Sequence, residues 1–549
     1  MRQNGESMEL NLAGLKNREE WEAAGYRLPE YDIASVTERT RTAPRWIHFG
    51  AGNIFRAFQA NAAQELINAG ILDTGIIAAE GFDYEIIEKM YRPHDNLSIL
   101  VTLKADGTME KTVVGSIVES RLLDSANQPE FDRLKEIFRA PGLQMASFTI
   151  TEKGYSLVDA HAELLPDITR DMEQGPAAPV SYLGKVISLL YERFLAGRLP
   201  ISMVSMDNCS HNGDRLYHAA DTFASAWEKA GLVQPGFHAY INDPGQVAFP
   251  WTMIDKITPR PDAAVQAVLE RDSIRNLDCC VTTRNTYAAP FVNAEECQYL
   301  IIEDAFPNGK LPLEKAGIIY TSRETVDKVE KMKVCTCLNP LHTTLAIFGC
   351  LLGYRLISEE MKNPLLLRLV KAVGYKEGLP VVVDPGILDP AQFIDEVVHK
   401  RIPNPFMPDT PQRIATDTSQ KLSIRFGETI KAYQKDSSLQ VTDLKMIPLV
   451  FAGWLRYLMA VDDQGTAFTP SSDPMLPALT PVMAPCRLGS LPEDLSFLHP
   501  VLKDEHIWGV DLFQAGMADT VLSYFRQLCA GPGAVTATLE KYLGKQTED

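Results

Sequence analysis

The sequence predicts an α/β fold, with an N-terminal Rossmann-like dinucleotide-binding domain followed by a mostly α-helical C-terminal domain. Three observations predict it. A short apolar strand at 45–49 runs into Gly50-Ala51-Gly52 and on into a helical pattern, the strand–turn–helix unit that brings backbone N–H groups to a pyrophosphate. Apolar strands then recur, with helical stretches between them, as far as about residue 320. Beyond that point the texture changes to long helical patterns. The expected organisation is an N-terminal extension over 1–43, a Rossmann-like domain over 44–320 and a mainly helical substrate and catalytic domain over 321–549.

Bulk composition agrees with a globular chain of two to four domains: 549 residues, 45% hydrophobic and 23% charged. The formal net charge of -18 argues against a general nucleic-acid binder, which needs clustered lysine and arginine. It leaves room for an anionic small substrate in a local basic pocket. The first fifteen residues show no basic, apolar and small-residue succession, so no signal peptide is expected. No run approaches 18 uninterrupted apolar residues, so no membrane partner is expected either. The nine cysteines are scattered, and Cys279 and Cys280 are adjacent, which suits neither a disulfide framework nor a metal knuckle. A reduced, cytoplasmic protein is the expectation.

Residues 1–43 are polar and broken by Pro29, with a short helical arm over 15–23. In the glycine turn the usual third glycine is absent; its position is Phe55. Gly50, Gly52, Asn53 and Ile54 supply the backbone that would hold phosphates. Arg56, one turn into the helix, is placed to approach a phosphate or the substrate. A glycine-rich turn without a nucleotide is the alternative. A second strand over 75–79 ends at Glu80, 28 residues after Gly52. An acid here can hold the adenosine ribose and favours NAD over NADP, because it repels a 2′-phosphate. An ordinary loop carboxylate is the alternative.

Residues 97–103 and 112–117 read as an antiparallel pair. A strand over 145–150 ends at Thr151-Glu152-Lys153-Gly154-Tyr155, polar groups suited to a ligand crevice at a strand's carboxyl end. Residues 164–180 read as a loop and 180–193 as a helix. A strand over 201–206 closes on Asp207-Asn208-Cys209-Ser210-His211-Asn212, a cluster costly to bury unused. Asp255 is an acid inside an apolar segment and needs a partner.

The stretch 330–349 reads EKMKVCTCLNPLHTTLAIFG. It places Glu330, Lys333, Asn339 and His342 at the start of an apolar helix, where a base, an amide and an imidazole can surround a small polar substrate. A core helix with polar residues at its exposed start is the alternative. Cys335, Cys337 and His342 make zinc the chemical rival, but their spacing lacks the usual C-x₂₋₄-C pair and they lie along one helix, so no metal is expected. Cys209 beside His211 has no third group to support nucleophilic catalysis. A nonenzymatic dinucleotide-binding sensor is a further alternative.

In this order, these segments resemble the polyol-specific long-chain dehydrogenase/reductases, the mannitol dehydrogenase family. The resemblance spans about 45–500 and includes Phe249-Pro250, Asp255-Lys-Ile-Thr258, Ile302-Glu-Asp304, Asn308-Gly309 and the run from Asn404-Pro405 to Lys421. It implies a zinc-independent, NAD(P)-linked oxidation of a secondary alcohol or reduction of the ketose, for which Glu80 makes NAD the expected cofactor. It implies Lys333 as general base, Asn208 and Asn339 as holders of the developing alkoxide, His342 as a substrate-orienting group and Glu330 as a proton relay. Asp255, Arg413 and Lys421 fall at substrate positions, with Thr151 and Glu152 on the cofactor side.

The chemistry needs these residue types: the alcohol loses its proton as hydride leaves, and two amide donors stabilise the oxyanion. The resemblance is nearest to members that interconvert D-mannonate and D-fructuronate, because a uronate carboxylate gains most from an arginine fork. Mannitol 2-dehydrogenase and tagaturonate reductase are the alternatives. The partners implied are small sugar acids or polyols, in a monomer or weak homo-oligomer. One departure stands out. The family places four residues between lysine and asparagine; Lys333 and Asn339 are separated by five. A one-residue π insertion would realign them; otherwise Lys331 becomes the rival base.

Overall fold

A computed structural model describes residues 8–544. Residues 1–7, where the expected extension and the stretch read for a signal peptide begin, and 545–549 lie outside that range. The described chain divides into two compact units. One runs up to Leu103 and resumes over Thr108–Asp327; the other comprises Lys104–Gly107 and the chain from Lys328 onward.

The first unit is built on six parallel strands: β1 (Trp46–Phe49), β2 (Ile76–Glu80), β3 (Ile117–Leu122), β4 (Met145–Phe148), β5 (Ile201–Ser205) and β6 (Val247–Ala248). Their order across the sheet is β3-β2-β1-β4-β5-β6. Strand order therefore reverses between β1 and β4, the switch point at which open α/β sheets bind ligands beyond their carboxyl ends.

β1, β2, β4 and β5 are buried on both faces, which is why they read as continuous apolar runs. Alternate residues feed opposite layers. Trp46, Ile76 and Ala78 join one apolar cluster with Phe55 and Leu66; Ile47, Ile77 and Ala79 join the other with Phe131, Leu190 and Trp227. The covering helices include α1 (Ala60–Asn68), reached through a π turn at Phe55–Gln59, α2 (Gln128–Arg139), α3 (Tyr182–Leu195) and α4 (Asn212–Lys229).

Three local expectations are corrected. The antiparallel pair is Ser98–Leu103 with Met109–Val114, and Ile117 belongs instead to the parallel strand β3. The chain turns at Gly115, which is crowded by Pro29, Ile33 and Leu97 and donates its N–H to Gln64 Oε1 (2.7 Å). The expected loop at 164–180 contains a helix, Pro166–Gln174, whose first-turn proline needs no N–H partner. The strand read over 145–150 stops at Phe148, because Thr151 already adopts φ +65°.

The second unit is helical. It contains α5 (Arg323–Met332, which begins just before the division), a π turn (Lys333–Cys337), α6 (Asn339–Leu351), α7 (Met446–Tyr457) and α8 (Ala518–Leu528). α7 is buried along its whole length and packs on α8, and its Trp454 meets Trp508 edge-on at 5.3 Å. The continuous helical run Arg323–Leu351 is 29 residues long and apolar enough on average to cross a membrane. That qualifies the reading from uninterrupted runs. However, 78% of its most apolar window is buried within the protein, as in a core helix.

Candidate active site

The glycine turn is built from backbone. Gly50 has φ +102°, and a Cβ there would lie 2.1 Å from the carbonyl oxygen of Thr149. Only glycine fits, because both the backbone region and the space are closed to a side chain. A Cβ at Gly52 would meet nothing within 4 Å. The turn thus has one glycine pressed into the sheet and one facing open space, with the helical stretch 53–68 starting directly behind. That geometry fits a pyrophosphate held by N–H groups at a helix N-terminus. Ile54 packs at the edge of the cluster containing Phe55.

The side chains expected to reach the cofactor are turned inward here. Glu80 is 5% exposed, and its carboxylate accepts N–H bonds from Ala51 (2.8 Å), Phe82 (2.8 Å) and Asp83 (3.1 Å). Burial raises its pKa, and those three bonds oppose the rise. Glu80 therefore fastens the glycine turn to the end of β2, where the sequence suggested a ribose acceptor. Arg56 is also buried. It donates to the carbonyl of Ala289 (2.7 Å) and to Asn53 Oδ1 (2.9 Å), with its guanidinium 5.8 Å from the Tyr91 ring. It braces the turn from beneath and does not lie open to a phosphate.

On the other side of the switch point, the ends of β4 and β5 are tied by Asp207, which the sequence marks as one of a polar cluster without a role of its own. Asp207 accepts N–H bonds from Ile150 (2.9 Å) and Thr151 (2.9 Å) and the hydroxyl of Tyr155 (2.6 Å), which in turn accepts from Ser205 (2.8 Å). Its pKa is raised by burial and lowered by these bonds. The clamp holds Thr151 at its positive φ and leaves the neighbouring Asn208 exposed at the strand's carboxyl end. The polar strand end Asp207–Asn212 was the available signal; which member faced inward was not.

Glu152 is exposed and ion-paired with Arg215 (2.8 Å). Asp255 is buried at the end of the strand Thr252–Asp255. His211 stacks on Trp251 with centroids 4.0 Å apart and faces Asp327 at 3.3 Å.

In the second unit, Glu330, Lys333, Asn339 and His342 follow one another along a single helical path. The additional residue between Lys333 and Asn339 is absorbed by the π turn Lys333–Cys337, closed by the bond from the Leu338 N–H to the Lys333 carbonyl (3.1 Å). α6 starts at once with Asn339. A π turn takes up one residue without rotating the helix on either side, so the register of the shorter spacing is kept. Lys333 is 5% exposed, whereas the rival Lys331 is exposed to solvent. Cys337 is a packing residue: its thiol touches the Pro390 carbonyl at 3.8 Å, and burial pushes its pKa up to about 12.

Arg413 and Lys421 share one loop region. Arg413 is held by Asp409, and Lys421 donates to the carbonyls of Thr416 and Ile414 (3.4 Å). Burial, then the charge of Arg425, lowers the pKa of Lys421. Arg425 is a third cation, which the sequence reading missed. It donates to Thr343 Oγ1 (2.5 Å), beside His342 on α6, and burial brings it down to about 10. Its only sequence signal is its position one turn after Lys421.

A doubly wound parallel sheet with a glycine turn at its switch point, followed by a helical unit carrying a buried lysine, defines a dinucleotide-linked oxidoreductase. Residues 44–315 match the mannitol dehydrogenase Rossmann domain and residues 325–528 the mannitol dehydrogenase C-terminal domain; the chain belongs to the mannitol dehydrogenase family, the NAD-dependent oxidoreductases of secondary alcohols. It is 50% identical over 541 residues to the D-mannonate oxidoreductase of Thermotoga maritima, covering 98% of this chain and 100% of the relative. It is 28% identical to the D-mannonate oxidoreductase of Escherichia coli, covering 90% and 94%. Among solved structures, a ternary complex of Pseudomonas fluorescens mannitol 2-dehydrogenase with NAD and D-mannitol aligns with a TM-score of 0.66 at 27% identity. That alignment covers 98% of this chain and 100% of that one.

Proposed function

We propose that this chain interconverts D-mannonate and D-fructuronate with NAD. The observation that carries the reading is the full-length, 50% identity to a D-mannonate oxidoreductase. The basic segment Arg413–Lys421–Arg425 supports a carboxylate-bearing substrate, since guanidinium forks match carboxylate geometry. The cofactor supplies the hydride acceptor at its nicotinamide. Lys333 takes the proton from the substrate hydroxyl as the C–H hydride leaves, so that alcohol becomes ketone and one proton is released. Glu330, three residues before Lys333 on the same helix, relays that proton onward. Asn339 and Asn208 donate N–H bonds to the oxygen as charge develops on it; losing one such donor costs on the order of 3 kcal/mol in the transition state. His342 orients the substrate, the basic segment meets its carboxylate, and Asp255 is a further substrate-side residue.

In this reading 44–320 binds the cofactor, 321–549 carries the catalytic side chains, and 1–43 is an extension. The protein acts in the cytoplasm as a monomer or weak homo-oligomer, without nucleic-acid or membrane partners. Sedimentation at several concentrations checks the assembly state; a tight oligomer at nanomolar concentration would reject it. The substrate is tested by kcat/KM with NADH for fructuronate, tagaturonate and fructose. Fructuronate is expected to lead by at least about tenfold, which is ~1.4 kcal/mol in transition-state binding. A tenfold lead for fructose or tagaturonate would replace the assignment.

A further inference from the structure

The carboxyl end of β2 carries a feature that the glycine turn does not explain. Phe82, two residues past Glu80, is 61% exposed. The guanidinium of Arg284 lies 5.2 Å from its ring centroid. Arg284 sits at the tip of a short hairpin made by β7 (Cys280–Val281) and β8 (Tyr287–Ala288). The tip is tightly formed: Thr282 N–H donates to the Thr286 carbonyl (3.0 Å), Asn285 N–H donates to the Thr282 carbonyl (2.9 Å), and Asn285 takes φ +60°.

The tip is also fastened to the turn after β2. The Thr282 hydroxyl donates to Asp83 (2.5 Å), and Thr283 donates both its N–H (3.0 Å) and its hydroxyl to Glu85. A lone exposed phenylalanine is ordinary. One held under an arginine by a hairpin 200 residues away in sequence, through two buried or half-buried carboxylates, is a built platform. The Arg284 guanidinium makes no hydrogen bond to the described residues, so its fork is available to a ligand.

The strand order says which ligand this platform faces. β2 and β3 lie on one side of the switch point and β4 to β6 on the other, so the end of β2 belongs to the adenosine half of a dinucleotide crevice. We propose that Phe82 and Arg284 form the adenosine seat. The adenine base stacks on the Phe82 ring, and Arg284 donates to the oxygens of the adenosine side, the role the sequence offered to Glu80. The inference rests on the NAD reading above.

Calorimetric titration of the full chain with NADH, ADP and nicotinamide mononucleotide tests it without turnover. Base–aromatic stacking of the usual strength predicts that Phe82→Ala weakens NADH and ADP alike by about tenfold. Nicotinamide mononucleotide should be unaffected, and Phe82→Trp should bind as the wild type does. Arg284→Ala is expected to weaken NADH and ADP by about fivefold. Because Phe82 is exposed, its variants should keep the wild-type melting temperature. Affinities for NADH and ADP within twofold of wild type in Phe82→Ala would overturn the proposal. A wild-type chain that fails to bind NADH would instead overturn the NAD reading on which it rests.

Discussion

The turn at Gly50–Gly52 and the segment Lys333–His342 both open a buried helix, and each adjoins a π turn, Phe55–Gln59 in one case and Lys333–Cys337 in the other. They differ in what presents the chemistry. At the first, in the proposed reading, backbone N–H groups are what the turn offers a ligand, and the side chains that look functional, Glu80 and Arg56, are turned inward to brace the loop. At the second, in the same reading, side chains supply the chemistry, and the backbone serves to keep them in register. A backbone site tolerates unusual sequence, as the missing third glycine shows, but not a change of conformation. A side-chain site tolerates an added residue if the helix can absorb it, but not the loss of a functional group.

The largest expected effect breaks the second region alone. Lys333→Ala should lower kcat by about a thousandfold, within the range for loss of a general base, while NADH affinity measured by calorimetry stays within twofold. Near-normal turnover at both neutral and high pH would remove Lys333 from the mechanism.

Gly50→Ala should break the first region through its fold. Positive φ and a 2.1 Å approach to the Thr149 carbonyl admit no Cβ, so a loss of about 3 kcal/mol in stability is expected, together with loss of NADH binding. Unchanged melting and affinity would show that the turn can relax.

The far end of α6 gives a pH test. Glu360 is fully buried against Gly349, where a Cβ would lie 2.1 Å from its Oε1, and neither carboxylate oxygen has a hydrogen-bond partner among the described residues. Burial lifts its pKa from 4.5 to about 9. The folded chain therefore keeps this proton up to about pH 9, whereas the unfolded chain releases it above about 4.5. Stability falls as pH rises through that window, by at most about 1.4 kcal/mol per pH unit. Glu360→Gln should flatten the decline of Tm between pH 5.5 and 8.5; an equal slope in both proteins would contradict the assignment.

The smallest effect is expected from shortening the π turn. Deleting Val334 should convert it to ordinary α-helix and leave Asn339 and His342 in register with Lys333, so kcat should stay within about tenfold of wild type. A loss as large as that of Lys333→Ala, in a folded protein, would mean that the π turn itself sets the geometry.

By itself the sequence determined the class of fold and the elements that carry the site. Apolar strands closing on Gly50-x-Gly52, Thr151–Tyr155 and Asp207–Asn212 mark strand ends, because a buried parallel strand is apolar throughout and its polar residues collect where it leaves the sheet. The helical texture after residue 320 follows from the 3.6-residue period of the pattern. What only the tertiary structure decided is the direction in which polar side chains point and what they meet. Glu80, Arg56 and Asp207 are conspicuous in the sequence, yet their partners are backbone groups of Ala51, Ala289 and Thr151, 29, 233 and 56 residues away. Arg284 meets Phe82 through a hairpin that no local pattern links to β2. The π turn after Lys333 was legible as an added residue, but its absorption depends on the packing of the helix on either side. Periodicity is a local property of the chain, so sequence carries it; hydrogen-bond and stacking partners are set by long-range closure, so only the folded chain does.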